Sequence, residues 1–450
     1  MTILSAPPAH KPWREVQIDF TRLRHFGINK PTVEFEKAHT YPASKPSYQP
    51  RTPDHLFNGF RLPTGRSMWG YVHVPFCNYA CKFCFYAKHV GKSRDSLVDR
   101  YLTNLAREMD FALERLGLDA FSVKDFYVGG GTPTALNEEQ LARFLEILRP
   151  RFRFEEGALA SVEGSPESLS ATKIAMLRDF GFTRFSLGVQ SAEQRFLDAS
   201  DRDHQVEQAF DAYELLRSEG IDHVNVDLIY GFPGESVSDW EESLSMVIDR
   251  IQPESFTLYY LRYVPGTPFT RGIPGQQRAT WEQLVEMRKV YMDALEASDY
   301  ERCRPHFFRK PENRIRRYHG APTLDHENYG AQIGFGPSAY SHLGHQVGRS
   351  ATSLTPWFQQ VEAAGFGTVE GRELTLEDRL VRRIAKDLCN RGSLRKEEFE
   401  AEFGRPPEHF YAGKLASLTS LGLIKDTGSA LHLTRKGILV DEEIAYFLFP

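Results

Sequence analysis

The sequence predicts an α/β protein: a partial or full (β/α) barrel, preceded by an N-terminal arm and followed by an α-rich, winged-helix-like domain. Three observations predict it. Between residues 70 and 300, short apolar runs alternate at least five times with amphipathic stretches, the pattern of parallel strands joined by helices. In the first 69 residues prolines interrupt every window, which denies that stretch long regular elements. Past residue 375, three helical stretches precede a short hairpin.

The arm, residues 1–69, reads as chain laid over another domain or left partly disordered, with VEFEKA and LFNGF as its anchors. YVHVPF, from Tyr71, is the first strand. VDRYLTNLAREMDFALERLG (98–117) spaces its apolar residues three and four apart and stops at a glycine, as helices do. DFYVGG (125–130) is a strand running into glycines, followed by the helix NEEQLARFLEILRPRF. ASVEGSP (160–166), FTRFSLGVQ (182–190), HVNVDLIYG (223–231) and ESFTLYYL (254–261) are further strands. The helical segments LSATKIAMLRDFG, VEQAFDAYELLRSEGI and DWEESLSMVIDRI separate them. Residues 70–300 are thus the barrel, 301–374 a connecting segment that closes the site, and 375–450 the winged-helix-like domain. Ligands of such folds gather at the C-terminal ends of the strands. In this sequence those ends carry the polar and glycine residues.

Composition narrows the function classes. The net charge of −5 argues against a nucleic-acid surface. Five cysteines in 450 residues exclude a disulfide scaffold. No apolar run reaches the roughly 20 residues of a membrane span, and MTILSAPPAHKPW lacks the features of a secretory leader. The expectation is a cytoplasmic protein with neither nucleic acid nor membrane as partner. His326, His342 and His345 have poor metal-binding spacing and read as satisfied or solvent-facing histidines. The basic cluster Arg309, Lys310, Arg314, Arg316 and Arg317 reads either as a receptor for carboxylates or as a solvated helix face.

Chemistry concentrates in CNYACKFC. Cys77, Cys81 and Cys84 share one tight loop, while Cys303 and Cys389 stand apart. Zinc prefers four protein ligands, and His73, His89 or Cys303 could complete such a set. Three thiolates alone suit a [4Fe–4S] cluster with one iron left open to a small chelating molecule. In the same neighbourhood, Gly129, Gly130 and Gly131 end a strand and let backbone approach a ligand. Thr132 offers a hydroxyl, and Glu163 ends the next strand. Asp227 sits inside an apolar strand, where a carboxylate needs a partner.

YVHVPFCNYACKFCFY resembles the radical S-adenosylmethionine (SAM) superfamily. With GGGTPT, SLGVQS, DLIYGFPGES, IGFGPSAYS and LHLTRKGILVDEEI, it resembles the oxygen-independent coproporphyrinogen III oxidase family and its relatives. The resemblance implies a [4Fe–4S] cluster on Cys77, Cys81 and Cys84, and SAM on its open iron. It implies that Tyr71, Gly130 and Glu163 contact this SAM, with Ile333 lining it, and that Tyr71 and Glu163 are catalytic. It also implies a second SAM on Phe83, Gly131, Thr132, Gln190, Arg202 and Asp227. The family's oxidase carries a further cysteine where this chain has Tyr86, and its haem-chaperone relatives carry Asp-Phe where it has Phe85 and Tyr86. From that departure, the arm and the second-SAM set, the expectation is a radical SAM C-methyltransferase or cyclopropanase. It acts on a small aromatic or unsaturated substrate, with flavodoxin or ferredoxin as electron donor. A coproporphyrinogen-type decarboxylase, an anaerobic haem-modifying enzyme and a haem chaperone are the alternatives.

Overall fold

The structure, a computed structural model, describes residues 11–30, 48–62, 67–91, 94–272, 275–311 and 331–449. Its centre is a run of parallel strands: β2 (Met68–Val74), β3 (Phe121–Gly130), β4 (Phe152–Gly164), β5 (Arg184–Gln190), β6 (His223–Tyr230) and β7 (Ser255–Tyr260), paired in that order. A helix follows each of the first five, as the alternation predicts. The helix Glu138–Leu148 shows why. Asn137 and Gln140 close a capping box at its start, and Leu141, Phe144, Leu145 and Leu148 form one buried stripe. Each such side chain contributes about 1.5–3 kcal/mol by leaving water.

The segment 301–374 is more than a connection. It lengthens the sheet at both ends. Beyond β7 lie β8 (Glu301–Arg304) and β9 (Phe307–Arg309), antiparallel, with β9 next to β7. Beyond β2 lies β10 (Ala331–Phe335), parallel to it. Antiparallel β11 (Tyr340–Leu343), β12 (Gln346–Ser350) and β13 (Thr368–Glu373) continue from there. β1 (Gln49–Pro50), from the arm, ends that edge. The 13-stranded sheet runs from β1 to β8 and stays open. These added strands span only two to six residues, too short for alternation to announce them. Aromatic rings bind the extension to the core, with Phe335 5.4 Å from Phe121 and 6.1 Å from Phe152. Glu108, on the helix Arg94–Leu116, accepts from Gly336 N at 2.7 Å, Gly367 N at 2.8 Å and Trp357 Nε1 at 3.3 Å. Burial nevertheless pushes its carboxyl up to about 7.

The described part of the arm is docked rather than loose. Trp13 is buried, giving its N to Asp293 at 2.6 Å and its Nε1 to Glu296 at 2.7 Å. Phe20 packs edge-on to Trp281 at 4.9 Å. Leu56 and Phe57 of LFNGF are buried, whereas VEFEKA lies outside the described residues. The C-terminal domain is winged-helix-like, as expected. The helices Leu376–Ile384, Lys396–Phe403 and Pro407–Ser420 surround a small sheet of β14 (Ser393–Arg395), β15 (Ile424–Asp426) and β16 (Ala430–Leu433). Its last helix, Asp441–Leu448, is tied to the barrel by buried ions. Glu442 meets His306, Arg262 and Arg288, Glu443 meets Arg288, and Asp441 meets Arg302. Among the described residues, no helix is long and apolar enough to cross a membrane.

Candidate functional site

The three clustered thiols stand on the loop after β2, at a cavity of about 1650 Å³ over the C-terminal strand ends. The loop is held from several sides. Cys77 N donates to His89 O at 3.2 Å, Thr132 N to Phe76 O at 2.7 Å and Lys82 N to Ser200 O at 3.0 Å. Thr132 Oγ1 lies 3.7 Å from Cys77 Sγ, and Arg202 Nη1 lies 3.6 Å from Cys81 Sγ. Burial pushes the Cys77 thiol up to about 11 and raises that of Cys81. Bare thiolates are therefore costly at this loop, and a cationic metal core is what ionises such groups. Among the described residues, no three His, Cys, Asp or Glu side chains gather closely enough for a single metal ion. Cys303 is remote, near Arg309 Nε at 3.0 Å, and Cys389 is buried in the C-terminal domain.

Beside the loop, the ends of β2, β3 and β4 form a cradle. Register places Tyr71 next to Tyr127, and Tyr127 Oη donates to Glu163 Oε1 at 2.5 Å. Gly130 N donates to Glu163 Oε2 at 3.0 Å. Gly130 has a φ of +104°, and a Cβ there would fall inside the His73 ring. At Gly131 a Cβ would lie 2.7 Å from both Val74 O and Phe76 O. Glycine is needed at both positions for this close approach. Tyr71 Oη lies 3.1 Å from His73 Nδ1, and His73 Nε2 lies 2.9 Å from Ala87 O. Burial pulls His73 down to about 4. The neutral ring therefore gives its Nε2 proton to Ala87 and accepts from Tyr71, which leaves the phenol oxygen's lone pairs for a ligand. Burial lifts Glu163 to about 7 despite its two donors.

Phe83, Gln190, Arg202 and Asp227 also reach the cavity. Gln190 ends β5 with a φ of 72°, strain of the kind found at working sites. Asp227 accepts from Ser186 Oγ at 2.9 Å and Asn225 Nδ2 at 2.7 Å, so its carboxylate is answered within the barrel. Arg202 is engaged by Gly188 O and Cys81 Sγ. These contacts brace the cysteine loop, while its buried Nε has no hydrogen-bond partner. Phe83 packs edge-on to Phe232 at 6.5 Å. Ile333 is the exception: its side chain lies wholly in the core, and its neighbour Gln332 lines the cavity instead.

Sequence reasoning missed the other wall. Arg262, Arg304, Arg349 and Arg382 all line the cavity. They come from after β7, from β8, from β12 and from the C-terminal domain. The basic cluster that looked suited to carboxylates is not this wall. Arg309 turns to Cys303 and Glu301, and Lys310 donates to Gln252 O at 2.6 Å. Arg314, Arg316, Arg317 and His326 lie outside the described residues. His342 contacts Arg382 rather than a metal.

Comparison with known proteins agrees with this geometry. The model of the radical SAM superfamily matches residues 71–247, and that of the HemN C-terminal domain matches 374–440. The haem chaperone HemW of Bacillus subtilis (strain 168) is 29% identical over 385 residues, covering 83% of this chain and 97% of the relative. The oxygen-independent coproporphyrinogen III oxidase of Escherichia coli (strain K12) is 28% identical over 387 residues, covering 83% of each. The solved structure of E. coli coproporphyrinogen III oxidase (HemN) superposes with a TM-score of 0.76 at 26% identity, covering 85% of this chain and 90% of that one. These relatives overturn the expected methyltransferase or cyclopropanase. The features behind that expectation do not discriminate. The described arm packs mainly on the helix Trp281–Ala297 and the sheet edge, with only Tyr48 and, already within β2, Trp69 at the cavity among its described residues. The second-SAM set was itself inferred from the resemblance to the oxidase family.

Proposed function

We propose that this chain, which belongs to the radical SAM superfamily and carries a HemN-type C-terminal domain, is an oxidoreductase that decarboxylates carboxylate side arms of a tetrapyrrole. One observation carries the reading. The three-thiol loop opens into a cavity of about 1650 Å³ that Arg262, Arg304, Arg349 and Arg382 also line, Arg262 beside Glu442 and Arg349 beside Glu370. The volume exceeds the roughly 300–1,000 Å³ of an ordinary small-molecule site. It suits a cofactor together with a macrocycle, and the arginines suit its acidic arms.

When bound on Cys77, Cys81 and Cys84, a [4Fe–4S] cluster with SAM supplies a carbon radical that abstracts hydrogen. The chain supplies placement. Gly130 and Gly131 bring backbone close, Glu163 accepts hydrogen bonds or an ammonium, and neutral His73 orients Tyr71 as an acceptor. Arg202 and Thr132 donate toward the sulfurs. A propionate arm losing one hydrogen atom, CO2 and one electron becomes a vinyl group, the electron passing to a one-electron acceptor. Flavodoxin or ferredoxin is the reductant in this reading. A second SAM would lie between Gln190 and Asp227, and two SAM per chain in a binding titration is its mark.

A haem carrier is the second reading. Phe85 and Tyr86 stack at 4.5 Å at the cavity mouth and are 43% and 56% exposed, a surface on which a macrocycle could lie. One experiment separates the two. The reduced, cluster-loaded protein is given SAM and coproporphyrinogen III. Formation of 5′-deoxyadenosine with vinyl product supports the enzyme. Tight haem uptake without any porphyrinogen turnover supports the carrier.

A further inference from the structure

Two carboxyls, Glu163 and Asp227, line the cavity at the strand ends, and beneath them the barrel buries a cation. Arg184 opens β5 and is 2% exposed. Side chains two apart on a strand share a face. Register sets Glu163 beside Ser186, and Asp227 beside Gly188. Ser186 and Gly188 line the cavity, whereas Arg184, two residues before Ser186 on the same face, is sealed below it. The ring of Phe307 on β9, itself at the cavity, covers the guanidinium at 5.9 Å. The Arg184 Nε has no hydrogen-bond partner. A cation buried in this way is costly unless negative charge stands near.

Neither acid is held by direct contact with it. Asp227 accepts from Ser186 Oγ and Asn225 Nδ2, and Glu163 from Tyr127 Oη and Gly130 N. All three groups nevertheless share one low-dielectric interior, where charges act on one another beyond contact. Burial raises the Asp227 carboxyl, and the charge of Arg184 is the strongest influence opposing that, ahead of Ser186, Thr257 and Asn225. Burial lifts Glu163 to about 7, with Tyr127 opposing, Asp227 adding, and Gly130 and Arg184 opposing. Other titratable groups around Arg184 do not take its place. Burial, reinforced by Glu163, keeps the Tyr71 and Tyr127 phenols neutral. Asp125 on β3, His223 on β6 and Tyr259 on β7 have partners of their own. Beside Phe307, His306 meets Glu442 and Arg309 meets Glu301. Two carboxyls buried in one interior raise each other, and without a cation one of them keeps its proton.

We infer that Arg184 is a positioning residue that acts through the two cavity carboxyls, supplying from below the charge against which Glu163 and Asp227 are ionised together. A strand-end surface balanced in this way offers fixed negative groups to a cationic ligand, and SAM, with its sulfonium and ammonium, is one. The inference concerns the cofactor half of the site, so it stands under either reading of the macrocycle.

The test compares Arg184→Met, Arg184→Gln and Arg184→Lys in the full-length protein. The first readout is SAM-free melting against pH. An acid raised in the folded state loses stability as pH climbs to its folded value and no further. Removing the cation raises both acids, so the neutral variants should go on losing stability above pH 7, where ionisation of Glu163 lets the parent level off. Their midpoints relative to the parent should stay constant below about pH 6.5 and drop by about 2–3 °C by pH 9. The second readout is SAM affinity of the cluster-loaded protein. At pH 7 the parent should bind about twofold below its own high-pH plateau, and the neutral variants about tenfold below theirs. Arg184→Lys keeps a charge and should lie closer to the parent than either neutral variant. Differences that are the same at every pH mark a packing role and overturn the inference, as does a Lys variant no closer to the parent than Met. If neither neutral variant folds, Asp227→Asn carries the melting test. With one anion gone, the loss of stability should end at a lower pH than in the parent, and an unchanged profile overturns the inference.

Discussion

Replacing Glu163 with Gln should stabilise the protein while damaging its cofactor site. The carboxyl accepts from Tyr127 Oη and Gly130 N, yet burial still lifts it to about 7. For an acid raised in the folded state, stability is fully present below the ordinary value near 4.5 and is lost as pH rises through 7. Holding it ionised at pH 8 costs at most about 3 kcal/mol, and contact with cavity water discounts this to about 1–2 kcal/mol. Gln keeps an acceptor for Tyr127 and carries no charge at any pH. Thermal melting of the SAM-free protein should therefore show Glu163→Gln about 2–3 °C above the parent at pH 8. The gap should narrow as pH falls through 7 and close only below about 4.5, where the carboxyl is protonated in the unfolded chain as well. SAM affinity should move the other way, weakening about tenfold or more at pH 8 with loss of a charge-assisted partner. In the parent, SAM binding should weaken as pH falls below 7, and in the variant it should stay flat. A variant that melts lower at pH 8, or a gap that ignores pH, would refute the reasoning.

Cys81→Ala should strip the cluster, seen as loss of iron and of the visible absorbance, whereas Cys303→Ala, whose thiol lies by Arg309, should leave both intact. Gly130→Ala should cost about 1–3 kcal/mol from its φ of +104°. It should also displace the His73 ring, so SAM affinity should fall while iron content is retained; unchanged SAM titrations would count against the cradle. Glu442→Gln should destabilise the chain by about 3–5 kcal/mol, because it leaves Arg288 and His306 buried beside a neutral group. Neighbouring cations hold Glu442 well below its ordinary value. Its contribution is therefore present above about 4.5 and is lost only as pH falls through the lower folded value. Denaturation should show a deficit that is flat from pH 8 to 5.

The chemical half of the site was legible because its signals are local. Cys77, Cys81 and Cys84 share one loop, Gly130, Glu163 and Gln190 stand at the ends of consecutive strands, and Asp227 lies within the next, an alternation that shows in the sequence. The recognition half was not. Its arginines come from four separated segments, and they converge only because 301–374 feeds strands to both edges of the sheet. Arg309 looked suitable in a basic run, but antiparallel pairing of β9 with β8 turns it to Cys303 and Glu301. Ile333 failed for a related reason. On β10 the polar neighbour Gln332 takes the cavity side, while Ile333 fills the core. Arg202, read as a carboxylate clamp, lines the cavity and also holds Gly188 O and Cys81 Sγ through its two Nη atoms. Its replacement should therefore disturb the cluster itself.

This division bears on how the chain relates to its relatives. The cysteine loop and cradle lie within 71–247, the span matched by the superfamily model. Arg262, Arg304 and Arg349 lie in none of the matched spans, and Arg382 lies in the C-terminal one. Relatives named as oxidase and as chaperone are nearly equal in identity to this chain, at 28% and 29%. Overall likeness therefore has no power to choose between turnover and carriage. The discriminating groups must sit where substrate, not cofactor, is held. Exchanging Arg262, Arg304, Arg349 and Arg382 for neutral residues should leave substrate-free SAM cleavage near the parent rate and abolish its coupling to porphyrinogen. A variant set that loses SAM cleavage to the same degree would show that the two halves are not separable.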